Sequence, residues 1–502
     1  MNGQTYFNSN LMFLSDIDTV FPLQNTTAVS LIPSRRGPVT GRLNDLLLHS
    51  QFDPLREAER FVEGHSIKVG EHIFLYGFGI GYHVIEIARA IGKNGHLTIM
   101  ELNPDILSAG LSSVDLRDLW TICPCTLLFA DNESDALHKI HHSLADKSLP
   151  NRLIVHPPSF KCIPEQFQTI ASLIEMELSG EKTQYVFKEK YLENFEFNIA
   201  TILKSSGIDY FSGMFQNKPI FLVGAGPSFD NSVSVLHTFQ DSAYICAVDT
   251  AFPLLQETGI RPDFVVSVDP QNHSARHFRS GNSFGIPIIV SPVSNHHVIA
   301  KHPGPFIAFL QKNHSFTKKF EHLLADKGIS MAGGSVSCIA LDIMLQFGFS
   351  TVLFVGMDFS YPNMKAYASN SMESLQLFHH THKFNTLEML HRKRIYAEKT
   401  LPALDYKNAH VLSSPHLCSY RKNIENLVEI YHKKVTFYSL AMNGARIAGV
   451  QPITERQLCS VMDYCTIDKK VCVPVLPVNH IKHQQILIEL ESMKHSYSNS
   501  KQ

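Results

Sequence analysis

Two glycine-rich stretches carry residues whose types and spacing could hold a nucleotide. The first, Gly224-Ala225-Gly226-Pro227-Ser228, follows an apolar run at 219–223 that predicts a buried strand. Glycines at the carboxyl end of such a strand let the backbone turn sharply. Their N–H groups and the start of the next helix can bind an anion. An ordinary strand-to-helix turn can have the same residues, because a short glycine loop is a weak motif.

The second stretch, Gly333-Gly334-Ser335, comes directly before a segment at 338–347 with helical apolar spacing. Ser335 can cap this helix, and the free N–H groups of such a terminus bind phosphate or carboxylate. We therefore interpret the two stretches as the two sides of a nucleotide clamp.

Three carboxylates follow predicted strands of the same region. Asp249 follows the strand at 243–248, Asp269 follows the strand at 264–268, and Asp358 follows the strand at 351–355. Ligands of parallel α/β sheets bind beyond the carboxyl ends of the strands. We expect all three side chains to lie at the nucleotide pocket.

An earlier part of the chain carries another glycine loop. A strand at 72–76 precedes Gly77-Phe78-Gly79-Ile80-Gly81, a helix follows at 82–91, and a second strand ends at Glu101. A carboxylate about 20 residues beyond such glycines binds ribose in dinucleotide-binding domains. By itself this pattern indicates a methyltransferase or a dinucleotide enzyme. We favour the alternative, a Rossmann-shaped accessory domain without such a cofactor.

Composition excludes several classes of partner. The chain has 502 residues and a net charge of −2, which gives no broad electrostatic attraction to nucleic acid or anionic membranes. No apolar run approaches the length of a membrane helix, and the first residues lack a signal-peptide pattern. We expect a cytoplasmic protein with reduced cysteines. The cluster His379-His380-x-His382 lacks further ligands, so no metal site is expected.

Alternating strands and helices predict an α/β fold with two Rossmann-like parallel-sheet domains in tandem and a mainly helical C-terminal region. Within the first domain, a helix pair is predicted at 42–49 and 53–62. The polar, His-rich segment 362–401 could be a lid over the pocket. The predicted parts are an irregular lead-in (1–35), an N-terminal domain (36–210), a central nucleotide-sugar-binding domain (211–400) and the C-terminal region (401–502).

Several motifs together resemble one known family. In the centre they lie at 224–228, 249–251, 259–263, 333–335 and 348–359, and upstream at 48–61, 77–81 and 156–158. A downstream match is Asn443-Gly-Ala-Arg-Ile447. In this order they resemble the motility-associated factor (Maf) proteins, whose central domain is also named for 6-hydroxymethylpterin diphosphokinase. The resemblance covers most of the chain.

The resemblance implies a glycosyltransferase that moves a nonulosonic acid, of the pseudaminic or legionaminic type, from a CMP-activated donor to Ser or Thr of flagellin. The central domain is similar to bacterial sialyltransferases that use CMP-sialic acid, so the two glycine stretches would hold CMP. Tyr361 and Tyr367 would stabilise the departing phosphate. A catalytic histidine is implied downstream, where His382 and His391 are candidates beside His379 and His380. No metal or other cofactor is required.

Other functions are compatible with the same residues. A pyrophosphokinase acting on a hydroxymethylpterin with ATP would need carboxylates for Mg²⁺, which Asp249, Asp263 and Asp269 could supply. A non-catalytic accessory protein would bind flagellin without turning over a sugar nucleotide. A methyltransferase at 77–81 is a third alternative. The oligomeric state stays open.

Overall fold

The computed structural model describes residues 6–7, 9–10, 28–144, 151–168, 170–171, 173–175, 178, 187–278, 285–312, 314–462, 466–469 and 471–499. It divides into two compact units, Met1–Gly180 and Glu181–Gln502. Among the described residues, no helix has the length and apolar character needed to cross a membrane.

The first unit contains two sheets. A four-stranded parallel sheet has the order β6-β5-β4-β7, and a three-stranded antiparallel sheet has the order β1-β2-β3. The strands are β1 (Ser30–Ile32), β2 (Thr40–Leu43), β3 (Leu46–Leu47), β4 (His72–Tyr76), β5 (His96–Met100), β6 (Cys125–Leu128) and β7 (Asn151–Val155). The helices are α1 (Pro54–His65), α2 (Tyr82–Ile91), α3 (Pro104–Ser113), α4 (Leu119–Ile122), α5 (Glu133–Leu144) and α6 (Pro157–Lys161).

The predicted helix at 42–49 is wrong, because this segment forms the antiparallel strands β2 and β3. Asn44 adopts a left-handed conformation with φ of 53°, which makes the tight turn between the strands. Thr40 Oγ1 donates to the carbonyl of His49 at 2.8 Å and accepts from its N–H at 3.1 Å. The predicted second helix is confirmed as α1, which is capped by the carboxylate of Asp53.

The second unit is built on a nine-stranded sheet in which every neighbouring pair is parallel, with the order β20-β19-β16-β9-β10-β11-β12-β13-β8. Its strands are β8 (Ser206–Gly207), β9 (Pro219–Val223), β10 (Tyr244–Val248), β11 (Phe264–Ser267), β12 (Ile288–Val290), β13 (Phe306–Ala308), β16 (Thr351–Val355), β19 (Thr436–Ser439) and β20 (Gln451–Pro452). Two small pairs lie outside it, β14 (Leu310–Gln311) with β15 (Ile329–Ser330), and β17 (Leu401–Leu404) with β18 (His410–Ser413).

Helices pack around this sheet, whose central strands are fully buried as a parallel sheet requires. The helices are α7 (Lys188–Lys204), α8 (Val233–Phe239), α9 (Phe252–Glu257), α10 (His296–Lys301), α11 (Glu321–Leu324), α12 (Val336–Phe347), α13 (Met372–Phe378), α14 (Leu387–Tyr396), α15 (Pro415–Tyr431), α16 (Glu455–Val461) and α17 (His480–Asn499). The predicted α/β fold with two parallel-sheet domains is confirmed.

The division between the units lies upstream of the predicted boundary at 210. Helix α7 belongs to the second unit, where its buried side chains join the core around the nine-stranded sheet. Asn194 Nδ2 donates to the carbonyls of Pro270 (3.0 Å) and Val293 (3.1 Å), which follow β11 and β12. Residues 401–502 are not separate from this unit, since β19 and β20 extend the same sheet.

The four-stranded and the nine-stranded parallel sheets each have a point at which the strand order reverses direction. In the second unit the chain runs outward from β9 through β13 on one side, and β16 lies on the other side of β9. In the first unit the equivalent point lies between β4 and β7. Ligands of open α/β sheets bind at such points, so both glycine loops lie where a site is expected.

Candidate functional site

A carboxylate fills the first glycine loop of the second unit. Asp358 Oδ2, which follows β16, accepts hydrogen bonds from Ser228 N at 3.0 Å and from Ser228 Oγ at 2.9 Å. The N–H groups of Gly224 and Gly226 donate to the carbonyls of Val355 (2.8 Å) and Gly356 (2.9 Å). These three loop amides are thus bonded within the protein.

The loop glycines are needed for this close packing. A Cβ atom on Gly226 would lie 2.2 Å from Asp358 Oδ2 and 2.6 Å from Gly356 O, and a Cβ on Gly224 would lie 2.7 Å from Gly356 O. Burial raises the pKa of Asp358 to about 6, although the two hydrogen bonds from Ser228 lower it. Asp358 Oδ1 is buried without a hydrogen-bond partner among the described residues.

The second glycine stretch forms the N-terminus of α12. Ser335 Oγ caps the helix by accepting from Cys338 N at 3.2 Å, as predicted. Gly334 has a φ of +92°, and a Cβ there would lie 2.7 Å from Asn423 Nδ2 of α15 and 3.7 Å from the Tyr420 ring. Gly333 is exposed, with open space around its Cβ position. This helix start is therefore accessible to a ligand.

Asp249 and Asp269 lie at the carboxyl ends of β10 and β11, as predicted, and each is already hydrogen-bonded. Asp249 is buried and accepts from Thr250 N at 2.9 Å and from Ser267 Oγ at 3.0 Å. Asp269 accepts from Gln271 N at 2.8 Å and lies 3.2 Å from His273 Nε2. Both side chains therefore organise the floor of the site.

Asp263 does not share this location. It precedes β11, at the amino end of the strand, where it accepts from Ile245 N at 2.8 Å and pairs with Lys469 at 3.0 Å. The two ends of a strand face opposite edges of a sheet. Asp263 therefore cannot join Asp249 and Asp269 as a Mg²⁺ ligand in the pyrophosphokinase alternative.

A buried ion pair, missed at the sequence level, lies beside Asp249. His277 Nε2 donates to Glu373 Oε1 of α13 at 3.2 Å. Burial alone would lower the pKa of His277, but Glu373, Asp249 and Asp269 outweigh it and raise the pKa. His277 is 4% exposed, and neither its Nδ1 nor Glu373 Oε2 has a partner among the described residues. No motif surrounds either residue, so the sequence carried no signal for this pair.

Tyr367 is connected to residues of both glycine stretches. The next residue, Ala368, donates its N–H to the carbonyl of Ala225 at 2.8 Å, which ties this segment to the first loop. On the other side, Tyr367 lies within electrostatic range of Tyr420, which packs beside Gly334. Burial raises the pKa of Tyr367, so its hydroxyl stays protonated and can donate.

Two cations accompany the predicted tyrosines. The Arg394 guanidinium of α14 lies 5.0 Å from the centre of the Tyr367 ring, and Tyr361 is near enough to affect the pKa of Tyr367. Burial lowers the pKa of His391, and the charges of Lys365 and Arg394 lower it further. Within the described part of the chain, no carboxylate lies within 4.0 Å of the Arg394 guanidinium. Neither cation was predictable from the sequence, because Lys and Arg are common on any surface.

The two histidine candidates for the catalytic base differ in burial and location. His391 is buried on α14, one turn before Arg394, and its Nδ1 has no partner among the described residues. His382 is exposed in a turn, where its Nδ1 accepts from Phe384 N at 3.3 Å. Of the two, only His391 joins the cluster around Tyr367. This cluster combines two phenols, two cations and a neutral imidazole, a set that can bind a phosphate and accept a proton.

The amides of the glycine loop in the first unit also donate to side chains of the protein. Buried Glu101 accepts from Phe78 N at 2.9 Å and from Asn103 N at 2.9 Å, and burial raises its pKa to about 7. Gly79 N donates to Ser159 Oγ at 3.2 Å, and Ile80 N donates to His49 Nε2 at 3.1 Å. The carboxylate that would bind ribose in a dinucleotide enzyme holds the loop instead.

Comparison with known proteins gives matches to part or all of the chain. Residues 193–364 match the family described as 6-hydroxymethylpterin diphosphokinase MptE-like. An uncharacterized protein of Treponema pallidum (strain Nichols) is 25% identical over 335 residues, which is 64% of this chain and 56% of the relative. A second protein of that organism is 42% identical over 50 residues, 10% of this chain and 24% of the relative. The chain thus spans about half the length of the first relative and about a quarter of the length of the second.

A solved structure of a MAf glycosyltransferase from Magnetospirillum magneticum AMB-1 aligns with a TM-score of 0.47 and 14% identity, covering 98% of this chain and 78% of that chain. The family match begins within α7 and ends just beyond β16, so it contains the first glycine loop, the second glycine stretch and Asp358. The prediction of a central domain similar to 6-hydroxymethylpterin diphosphokinase is therefore confirmed over residues 193–364.

Proposed function

We propose that the protein is a glycosyltransferase that moves a nonulosonic acid from a CMP-activated donor to Ser or Thr of flagellin. The observation that carries the proposal is the cluster of Tyr361, Tyr367, Lys365 and Arg394. Tyr367 lies within electrostatic range of Tyr420, which packs beside Gly334 of the second glycine stretch. The identity of donor and acceptor rests on the family resemblance of the sequence motifs.

In this proposal CMP leaves as a phosphate monoester anion. The acceptor hydroxyl attacks the anomeric carbon, the bond from that carbon to the phosphate oxygen breaks, and its electron pair leaves with CMP. Donors and cations around the phosphate stabilise the charge that develops there. Arg394 and the Tyr367 hydroxyl supply one such cation and one such donor, and the α12 N-terminus adds its free N–H groups.

We assign the general base to His391. A base must be unprotonated at the start of the reaction, and burial together with Lys365 and Arg394 lowers the pKa of His391. Its Nδ1 has no hydrogen-bond partner among the described residues. The acceptor proton would move to this imidazole as the new C–O bond forms.

A second candidate function is a pyrophosphokinase that transfers diphosphate from ATP to a hydroxymethylpterin. The match of residues 193–364 to the MptE-like family favours it. In this role Asp249 and Asp269, at the carboxyl ends of β10 and β11, would exchange part of their hydrogen bonding for a Mg²⁺ ion.

One assay distinguishes these functions. The purified full chain is incubated with CMP-pseudaminic or CMP-legionaminic acid, with and without flagellin, and in parallel with ATP, Mg²⁺ and 6-hydroxymethylpterin. Release of CMP with a matching mass increase of flagellin supports the transferase. AMP formation with the pterin, without CMP release, supports the pyrophosphokinase. If neither product forms while flagellin still binds, the accessory role replaces both.

Variants on one helix locate the activity. Arg394→Gln should lower the rate of CMP release about 100-fold, because the cation next to Tyr367 is lost. Arg392→Gln is the matched control, since it removes the same charge from an exposed position of α14 and should stay within about twofold. Equal rates for the two variants would contradict the assigned phosphate site.

A further inference from the structure

Three buried histidines meet at the switch point of the sheet in the first unit. His156 follows β7 directly, His83 is the second residue of α2 after the glycine loop, and His49 follows β3. Their exposed fractions are 3% for His49, 1% for His83 and 4% for His156. They come from three distant parts of the sequence, and nothing in the proposed transferase reaction uses them.

The three rings form one contact group. The ring centres of His83 and His156 are 4.1 Å apart and stacked, His49 and His156 are 4.9 Å apart, and His49 and His83 are 5.3 Å apart. One ring nitrogen from each residue lies within 4.8 Å of one from each of the other two. Within the part of the chain that the structure describes, this is the one group of three potential ligand side chains at such distances.

The glycine loop makes room for this group. A Cβ atom on Gly79 would lie 2.7 Å from His49 Nε2, 2.9 Å from His156 Cε1 and 3.2 Å from His83 Cε1. The three rings thus converge on a single point of the backbone. This loop resembles a dinucleotide fingerprint in the sequence, and the three histidine rings explain why residue 79 is a glycine.

Each ring is oriented through a nitrogen by a fixed partner. His49 Nδ1 donates to Glu57 Oε2 at 3.1 Å, and His83 Nε2 donates to the carbonyl of Gly77 at 2.9 Å. His156 Nδ1 lies 2.9 Å from Ser159 Oγ. Carboxylates, carbonyls and hydroxyls in this position fix the tautomer and orientation of metal-binding histidines. His83 Nδ1 is buried and has no partner among the described residues.

Each ring has one nitrogen bonded to a protein partner, which leaves its other nitrogen as the potential metal ligand. Neutral imidazole is the form of histidine that binds metals.

We propose that His49, His83 and His156 bind one divalent transition-metal ion, with Zn²⁺ as the preferred ion, at the carboxyl edge of the sheet in the first unit. Three imidazoles suit Zn²⁺ and exclude Mg²⁺ and Ca²⁺, which require oxygen ligands. Bond lengths of about 2.0–2.1 Å from zinc to nitrogen require the rings to move closer together. His49 Nε2 then exchanges its bond from Ile80 N–H for the ion.

The ion would join three chain segments, which are the connection before α1, the start of α2 and the turn after β7. Its role is structural, because an ion that binds only the folded state adds to the stability of that state. The proposal does not depend on which reaction the second unit catalyses.

The test uses the untagged full-length protein, stripped with a chelator and then titrated with Zn²⁺ or Co²⁺. We expect about one equivalent of tightly bound metal by elemental analysis and a higher melting temperature with metal than without it. The Co²⁺ form should give the d–d absorption of a metal ion with a low coordination number. Failure of the wild type to bind an equivalent of either ion would overturn the proposal.

Three variants make the test specific. His83→Gln keeps an amide donor for Gly77 and should lose the bound equivalent while retaining the wild-type circular dichroism spectrum. His96→Gln removes another histidine of the same sheet, bonded to Thr126, and should bind as the wild type does. Glu57→Gln should weaken the Zn²⁺ affinity about tenfold. Retention of the bound ion by a folded His83→Gln variant would show that surface histidines bind it and would overturn the proposal.

Discussion

Asp358 and Ser228 are joined by two hydrogen bonds, since Asp358 Oδ2 accepts from the backbone N–H at 3.0 Å and from Oγ at 2.9 Å. The carboxylate lies where the sequence motif predicts a phosphate. It joins the end of β16 to the loop after β9, across the switch point of the nine-stranded sheet. In the proposed transferase, the first glycine loop would support the site and the accessible helix start at 333–335 would contact the phosphate.

A single methyl group should distinguish the two glycine stretches. Gly226→Ala places a Cβ atom against the Asp358 carboxylate and the Gly356 carbonyl, and neither can move without breaking the bonds to the loop. We expect a loss of about 2–3 kcal/mol in the free energy of unfolding, measured with urea. Gly333→Ala has open space and should change it by less than about 0.5 kcal/mol. Equal effects would contradict the packing described for the first loop.

Asp358 should make the second unit less stable as the pH rises from about 4 to about 6. Its folded pKa is raised to about 6 from 3.8. In this window the folded state holds a proton that the unfolded state has released, so the free energy of unfolding falls as the proton is lost. Deprotonation of Asp358 can lower the free energy of unfolding by at most about 3 kcal/mol.

The Asp358→Asn side chain can still accept from Ser228 but cannot ionise. The free energy of unfolding of this variant should therefore not show the decrease between pH 4 and pH 6. Urea unfolding at pH 4, 5, 6 and 7 measures the difference between the two proteins. Parallel stability curves for wild type and variant across this range would show that Asp358 does not titrate as described.

Glu373→Gln should lower the pKa of His277 and destabilise the second unit. The carboxylate raises this pKa, so its stabilising effect is fully present below the unfolded histidine pKa and is lost as the pH rises through the folded value. The difference in free energy of unfolding should be about 2 kcal/mol near pH 6 and smaller at higher pH. Histidine-selective NMR gives the pKa directly. Exposed Glu429→Gln is the control, and an unchanged His277 pKa in Glu373→Gln would refute the pairing.

The boundary of the second unit can be tested with two truncations. A fragment of residues 187–502 keeps α7, and a fragment of residues 211–502 follows the boundary predicted from sequence. Without α7, the buried side chains of Phe195 and Ile199 leave the core and the carbonyls of Pro270 and Val293 lose their donors. We expect cooperative thermal unfolding for the longer fragment and none for the shorter one. Cooperative unfolding of both would support the boundary at 210.

The repeating strands, their glycine ends and the helix start at Ser335 were predictable from the sequence, because turn chemistry and apolar runs are local. The hairpin at 40–47 was missed because its apolar residues also match a helical spacing and the Asn44 turn was not recognised. The fold class followed from the alternation of elements, which depends on few long-range contacts.

The composition of the site was less predictable. Whether the amides of a glycine loop are free depends on a partner more than a hundred residues away, as for Ser228 and Asp358. The pair His277 and Glu373 and the group of His49, His83 and His156 consist of residues that share no local motif. Only the packing of the sheets brings them together.

The all-parallel order of the nine-stranded sheet has a consequence for synthesis of the chain. Strand β16 pairs with β9 on one side and with β19 on the other, and β19 follows it only after residues 356–435. While a ribosome produces those residues, the backbone N–H and C=O groups on the outer edge of β16 have no neighbouring strand. Such an edge can pair with other chains. The nascent protein should therefore depend on a chaperone most strongly during this interval, before the candidate site is complete.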